Sequence, residues 1–408
     1  MVPKEWKIKT IGDIATVSSG GTPSRKEQSY WNGDIPWVTT AEVKFKTILD
    51  SAEKITKEGL SNSSAKLFPI NTILMAMYGQ GKTRGQVAKL GIEASTNQAC
   101  AAIILSSDYC VDYYYQFLIY QYENIRDMSN SGSQENLSGS IVKSIPVPVP
   151  PYFEQQKIAQ ILSSWDQAIS ATEKLLENSQ QQKKALMQQL LTGKKRLLDE
   201  NGIKFSNEWT TKNLESLVYR PLCYGVLKPG EDVLDGHPLI RIQDIDDRGF
   251  IDIRKVIRIT DELHYEFRRT ILNTNDLIIS IVGTLGKVFV IPKELNGANI
   301  TRAFAVIGAD CKLIDTRFIY QYLNSSMIQE WLLNTATGNA QKVLNIAALK
   351  ELQIPLPIIE EQRRIAEVLF VADQEIETIQ KKLDCLKKEK KALMQQLLTG
   401  KKRVKVAA

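Results

Sequence analysis

Three stretches of this 408-residue sequence place reactive side chains at spacings that chemistry uses. Gly79-Gln80-Gly81-Lys82-Thr83 follows an apolar run and ends in Gly-Lys-Thr, like a loop that cradles phosphate. That loop needs a glycine five residues before Gly81 and a helix opening behind the lysine. Position 76 is alanine, and Arg84-Gly85-Gln86-Val87-Ala88 reads as a turn into another strand. The second half offers Gly283-Thr284-Leu285-Gly286-Lys287-Val288, with no hydroxyl after the lysine. Both read as basic, glycine-rich hairpins and not as nucleotide-hydrolysing sites. Asp244, Asp246 and Asp247 bring carboxylates together as a metal-dependent nuclease would, yet only Glu42 stands at the matching place in the first half. A solvated or base-contacting turn fits them better.

Pro150-Pro151-Tyr152 has the Pro-Pro-Tyr of adenine-methylating sites, where Asn, Asp or Ser comes first and holds the adenine amino group. Here Val149 precedes it, and the second half reads Leu356-Pro357-Ile358. These prolines are a stiff entry to a helix. There are only two histidines, His237 and His264, so histidine triads and His-rich metal sites are disfavoured. The five cysteines form no Cys-x-x-Cys, which suits a reducing cytoplasm. The start, Met1 to Trp6, carries no apolar signal core, and no run approaches the roughly 18 apolar residues of a membrane span. A net charge of +6 permits an anionic partner without specifying one.

Repetition explains more than any motif. Lys183–Arg196 recurs unchanged at Lys390–Arg403, an offset of 207 residues (390 − 183). At that offset Glu154-Gln155 matches Glu361-Gln362, Ile158-Ala159 matches Ile365-Ala366, and Asp166-Gln167 matches Asp373-Gln374. Further upstream the likeness fades but persists: Pro36–Glu42 matches Pro238–Asp244, Asn71–Gly79 matches Asn275–Gly283, and Ala94–Ala99 matches Ala298–Ala303. Each half is a divergent unit followed by a strongly repeated segment.

The repeated segments read as long helices. Ile158, Leu162, Trp165, Ile169, Thr172, Leu176, Ser179, Lys183, Leu186 and Leu190 alternate steps of four and three, the period of a coiled-coil seam. The second copy runs Ile365, Leu369, Ala372, Ile376, Ile379, Leu383, Leu386, Lys390, Leu393, Leu397. Prolines open each helix and Thr-Gly closes it. From Glu154 to Leu191 such a helix is roughly 57 Å long. Two copies in one chain favour internal antiparallel pairing, and a pseudo-twofold arrangement would bring Ala408 near Met1. Within the divergent units, Ile73–Tyr78, Ala99–Leu105, Leu277–Val282 and Phe304–Ile307 read as strands, and Asp112–Ile125 and Asp315–Leu323 as helices that start at an aspartate cap. The tyrosines of the former recur at helical spacing and belong in the core.

The fold expected is mixed α/β: two α+β domains separated by two long helices that form an antiparallel coiled coil. The parts span residues 1–152, 153–200, 201–359 and 360–408.

Two divergent units alternating with two near-identical helices, each opening in Pro-x-Pro…Glu-Gln-x-x-Ile-Ala (148–159, 355–366) and closing in Leu-Leu-Thr-Gly-Lys-Lys-Arg, resemble the DNA-specificity subunits of type I restriction–modification systems. Gly132-Ser133-Gln134 and Gly338-Asn339-Ala340-Gln341 fit the same pattern. The resemblance covers essentially the whole chain. It implies a non-catalytic protein whose two target recognition domains each read one half of a bipartite, gapped site in double-stranded DNA. The helices would set the spacing and dock two methyltransferase subunits, with restriction–translocase subunits joining. S-adenosylmethionine, ATP and magnesium would then belong to those partners, and no membrane is involved. The rival reading is a coiled-coil adaptor that binds only proteins.

Phosphate contacts want Lys, Arg, Ser and Thr, and base edges want Arg, Asn, Gln, Asp and Thr. In the first unit these are Thr22, Ser24, Arg25 and Lys26; Thr39 and Thr40; and Gln80, Lys82, Thr83 and Arg84. In the second they are Tyr219, Arg220, Tyr224 and Lys228; Arg241, Gln243 and Asp244; and Thr284, Lys287 and Arg302.

Overall fold

The computed structural model describes residues 3–79, 81–128, 136–246, 251–338 and 342–404. Gln80, Asp247, the Gly132-Ser133-Gln134 stretch and all but Gly338 of its counterpart lie outside them. The chain divides into two compact units, Met1–Glu173 with Lys381–Ala408, and Lys174–Gln380. Each unit therefore holds one divergent domain, the first part of one long helix and the last part of the other.

In the first unit, five strands lie in the order Ala15–Ser19, Cys100–Leu105, Ile73–Ala76, Val87–Leu90, Thr47–Ile48. A second sheet has the order Glu53–Ile55, Trp31–Val38, Ala94–Thr96, Leu67–Phe68. Ile73–Ala76 is apolar without alternation because both its faces are covered. Ile73 and Met75 join Ile103, Tyr113, Tyr114 and Phe117, together with Ile158 and Leu162 of one long helix and Met394 and Leu397 of the other. Leu74 and Ala76 face the opposite way, towards Val38, Val43, Ala88 and Cys100. The tyrosines are core residues, as their spacing predicts.

The second unit repeats the plan. Val288–Val290, Leu277–Ser280 and Phe304–Ile307 form one sheet, and Ile257–Ile259, His237–Ile240 and Asn299–Ile300 another. Leu277 and Ile279 pack with Phe318, Tyr322, Leu190, Ile365 and Leu369. Ile278, Phe289, Phe304 and Val306 fill the other face.

The helix at Thr316–Leu323 is capped as predicted, with Asp315 accepting from the N–H groups of Arg317 and Phe318. Its counterpart, Val111–Tyr120, has Cys110 and not Asp112 at the cap. Gln155 accepts the Cys110 N–H at 2.9 Å, just as Gln362 accepts the Asp315 N–H at 2.8 Å, so the cap falls two residues before Asp112. Asp112 is left inside the first turn, paired with Lys89.

The long helices span Tyr152–Leu190 and Ile359–Leu397, 39 residues each and about 58 Å long. All twenty seam positions are buried or half-buried. Each helix closes at a glycine with positive φ, Gly193 at 70° and Gly400 at 72°, where a side chain would be strained. Pairing within each unit is antiparallel. In the first unit Glu154 bonds Arg403, Asp166 bonds Lys390 and Glu173 bonds Lys387. In the second, Glu361 bonds Arg196 and Asp373 bonds Lys183. Met1 and Ala408 lie outside the described residues, but Arg403 pairs with Glu5 at 2.9 Å and Gly400 packs against Pro3.

Candidate nucleic-acid interface

In the first unit three chain segments meet at one end of the second sheet. Trp31–Val38 runs parallel to Ala94–Thr96. Gly21 donates its N–H to Thr96 O at 2.8 Å, and Asn97 donates to Val38 O at 3.2 Å. A Cβ on Gly20 would sit 1.9 Å from Thr96 O, so only glycine permits this approach. The fork brings Thr22, Thr39 and Gln98 to one edge, and the Thr22 hydroxyl bonds the Gln98 side chain. Met77 N–H donates to Ala99 O, which sets the hairpin turn at 81–86 alongside. Tyr122 bonds Lys82 O, and Arg126 donates to Gly81 O at 2.8 Å, so the hairpin is held from its own domain.

The second unit builds the same fork from different residues. His237–Ile240 runs parallel to Asn299–Ile300. Val226 donates to Ile300 O at 2.7 Å, Thr301 to Ile240 O at 3.1 Å and Arg302 to Val226 O at 2.9 Å. A Cβ on Gly225 would lie 2.0 Å from Ile300 O. Ile281 N–H donates to Ala303 O, placing the 283–287 hairpin beside the fork. A cavity of about 190 Å³ between them is lined by Ile242, Ile245, Asp246, Ser280, Thr284, Lys287, Phe289 and Phe304. Arg302, Gln243, Thr284 and Lys287 are exposed around it, and Lys228 is exposed beyond Val226.

Several candidates are engaged within the fold. Arg25 forms a bidentate pair with Glu53 and lies 3.8 Å over the Trp31 ring and 5.1 Å over Trp37. That bond holds the Glu53 carboxyl below its ordinary value. Arg84 is buried. Arg220 pairs with Asp276 and donates to Ile271 O, while the Tyr219 hydroxyl donates to Asp276 at 2.8 Å. Burial pushes the Asp276 carboxyl up, against the Asn273 N–H and Arg220.

Glu42 and Asp244, which match in the repeat, both cap a short turn. Thr39 donates N–H and hydroxyl to Glu42 at 2.8 and 2.9 Å. Arg241 donates its N–H to Asp244 at 2.9 Å and folds its guanidinium onto the same carboxylate. Asp244 is 4% exposed, so it holds the turn that carries Gln243 instead of facing outward. Thr40 begins the matching turn in the first unit. Ser24, Lys26 and Lys82 are exposed and Thr83 half-buried, whereas Tyr224 is half-exposed beside Gly225.

Gln98 was missed in the selection by residue type. Its signal lies in the repeat: Ala94–Ala99 against Ala298–Ala303 puts Gln98 at the place of Arg302. Lys66 was missed as well; it bonds Ser18 at 2.9 Å, close to the strand that leads into the fork.

The family model of the type I restriction modification DNA specificity domain matches residues 3–181 and 238–388. The type I restriction enzyme EcoBI specificity subunit of Escherichia coli is 32% identical over 302 residues, 69% of this chain and 63% of that protein. The alignment thus spans just under two thirds of that relative. The MjaIX specificity subunit of Methanocaldococcus jannaschii is 26% identical, over 99% of this chain and 95% of its own length. A crystal structure of the S subunit of a type I restriction–modification system from M. genitalium has the same fold, with a TM-score of 0.61 at 18% identity, covering 97% of this chain and 96% of that one. Two copies of one architecture, both matched across the chain, make this protein a member of the type I restriction modification DNA specificity family.

Proposed function

We propose that this chain is the sequence-reading subunit of a type I restriction–modification complex. Each domain reads one half of a bipartite, gapped site in double-stranded DNA. The paired helices hold the domains apart and dock two methyltransferase subunits, which restriction–translocase subunits join. The chain itself is not catalytic. S-adenosylmethionine, ATP and magnesium belong to the partner subunits, and the complex works in the cytoplasm.

One observation carries this reading: the same glycine-packed fork occurs in both units, built on matching backbone bonds, with different side chains at its edge. Threonines and Gln98 stand there in one, Arg302, Gln243 and Lys287 in the other. An adaptor that bound one partner twice would keep the two edges alike. Two unlike edges on like scaffolds suit a non-palindromic sequence. Arg302 can address guanine bidentately, and Gln98 and Gln243 can address adenine.

The test is binding of the chain with its methyltransferase partner to duplexes drawn from its methylated sites. The expected result is nanomolar affinity for a gapped, non-palindromic site that falls steeply with salt. Equal affinity for random duplex at every salt concentration would contradict it.

A further inference from the structure

We propose that Asp166 and Asp373 are positioning residues. Each fastens one recognition domain to both helices through a three-way polar joint, and the joints set which gap lengths the protein accepts. The inference rests on the DNA-reading function above.

In the first unit Gln116, on the helix Val111–Tyr120 of the domain, donates Nε2–H to Asp166 Oδ2 at 2.6 Å. Lys390, from the other long helix, donates to Asp166 Oδ1 at 2.6 Å. One carboxylate thus ties the domain, the helix that follows it and the helix that runs back along it. In the second unit Gln321 donates to Asp373 Oδ2 at 2.7 Å, and Lys183 donates to Oδ1 at 2.5 Å.

Three features separate these joints from ordinary surface pairs. The lysines occupy seam positions that are otherwise mostly apolar, where a charged residue costs stability but fixes register. A slide of one helix along the other would leave Lys390 at 8% exposure without its carboxylate. The glutamines are buried, 4% and 2% exposed, at the same place on helices whose sequences, VDYYYQFLIY and TRFIYQYL, share that Tyr-Gln and the leucine two residues on but differ at most other positions. A buried amide is costly unless bonded, yet both domains keep it at the same place. Finally, the Oε1 atoms of both glutamines have no partner among the described residues. The amide can therefore turn and serve the opposite charge, which makes an exchanged pair a meaningful rescue.

The experiment uses the complex of the full chain with its methyltransferase partner. Affinity is measured on duplexes that keep both half-sites and vary the gap one base pair at a time. Asp166→Asn and Asp373→Asn, and Gln116→Leu, which detaches only the domain arm and fills the buried site, are each expected to flatten discrimination between neighbouring gaps. The expected change is about tenfold, the worth of one charge-assisted hydrogen bond. The bases read in each half-site stay the same. Asp166→Lys combined with Lys390→Asp should restore the sharp profile. A gap-selective wild type with an unchanged profile in every variant, even where the thermal midpoint drops, overturns the positioning role alone. A wild type that reads neither half-sites nor gap overturns the DNA-reading function with it.

Discussion

The helix joints and the sheet-edge forks are both duplicated, but they are duplicated in opposite ways. At the joints the same residue types make the same bonds twice: Gln116–Asp166–Lys390 and Gln321–Asp373–Lys183, Glu154–Arg403 and Glu361–Arg196. At the forks the backbone bonds repeat while the side chains change. A joint is defined by partners inside the chain, so changing one residue strands another in a buried place. A fork edge faces outward, and the fold asks of it only the glycine approach and the ladder behind it. Structure is held where pairs are closed, and specificity varies where they are open.

Even the closed set is not perfectly symmetric, and that gives the largest expected effect. Glu361 is fully buried, takes two bonds from Arg196 at 2.6 Å and a third from Trp209 Nε1 at 3.0 Å. Its counterpart Glu154 bonds Arg403, but Trp6 Nε1 has no partner among the described residues and Arg403 shares itself with Glu5. Glu361→Ala should cost about 3–5 kcal/mol, as removal of one partner of a buried pair does. Glu154→Ala should cost less. Urea unfolding followed by hydrogen exchange in each unit would order them, and equal losses would erase the asymmetry.

Arg25 and Lys26 sharpen the contrast between closed and open. Arg25→Ala should destabilise the first domain by about 1 kcal/mol through the lost ring contact and leave the bases read unchanged. Lys26→Ala should leave stability alone and reduce the salt dependence of DNA binding by about one phosphate contact. The bond to Arg25 lowers the Glu53 carboxyl. Its contribution is therefore present above the ordinary glutamate value and lost as pH falls through the lowered one. Coupling between Arg25→Ala and Glu53→Gln should fade over that acid range; an absence of coupling at every pH would place the stabilisation in ring packing alone.

Cutting the chain elsewhere should matter still less. Pro3 and Glu5 already touch Gly400 and Arg403. Joining Ala408 to Met1 by a short flexible linker and reopening within the exposed turn at Glu200–Ile203 should give a soluble protein with a nearly unchanged thermal midpoint, since the two loop entropies almost cancel. Insoluble product from several linker lengths would show that the terminal segment needs its free end. The smallest effect concerns thiols. Burial pushes the Cys100 thiol up to about 12, so in the native protein iodoacetamide should label exposed Cys311 and Cys385 and spare Cys100.

What was legible in the sequence follows the same division. The seam period and the unchanged Lys183–Arg196 and Lys390–Arg403 segments declare the helix pair, because internal pairing demands those residues at those steps. The strands were legible too, since Leu277–Ser280 and Ile73–Ala76 are apolar on both faces. The reading edge was not. Arg25 looks free until it is seen to pair with Glu53 and lie over Trp31 and Trp37, and those partners come from two other strands. Asp244 looks like a base contact or a metal ligand until its turn is closed on Arg241. Gln98 carries no motif at all and is found only by its register against Arg302.

The central claim is that two independent readers share one frame. Replacing residues 1–150 with the corresponding unit of another specificity subunit, and sequencing the methylated sites of cells that express the resulting complex, tests it most directly. The account predicts that one half of the recognised sequence changes while the other half keeps its bases. Simultaneous change in both halves would contradict it.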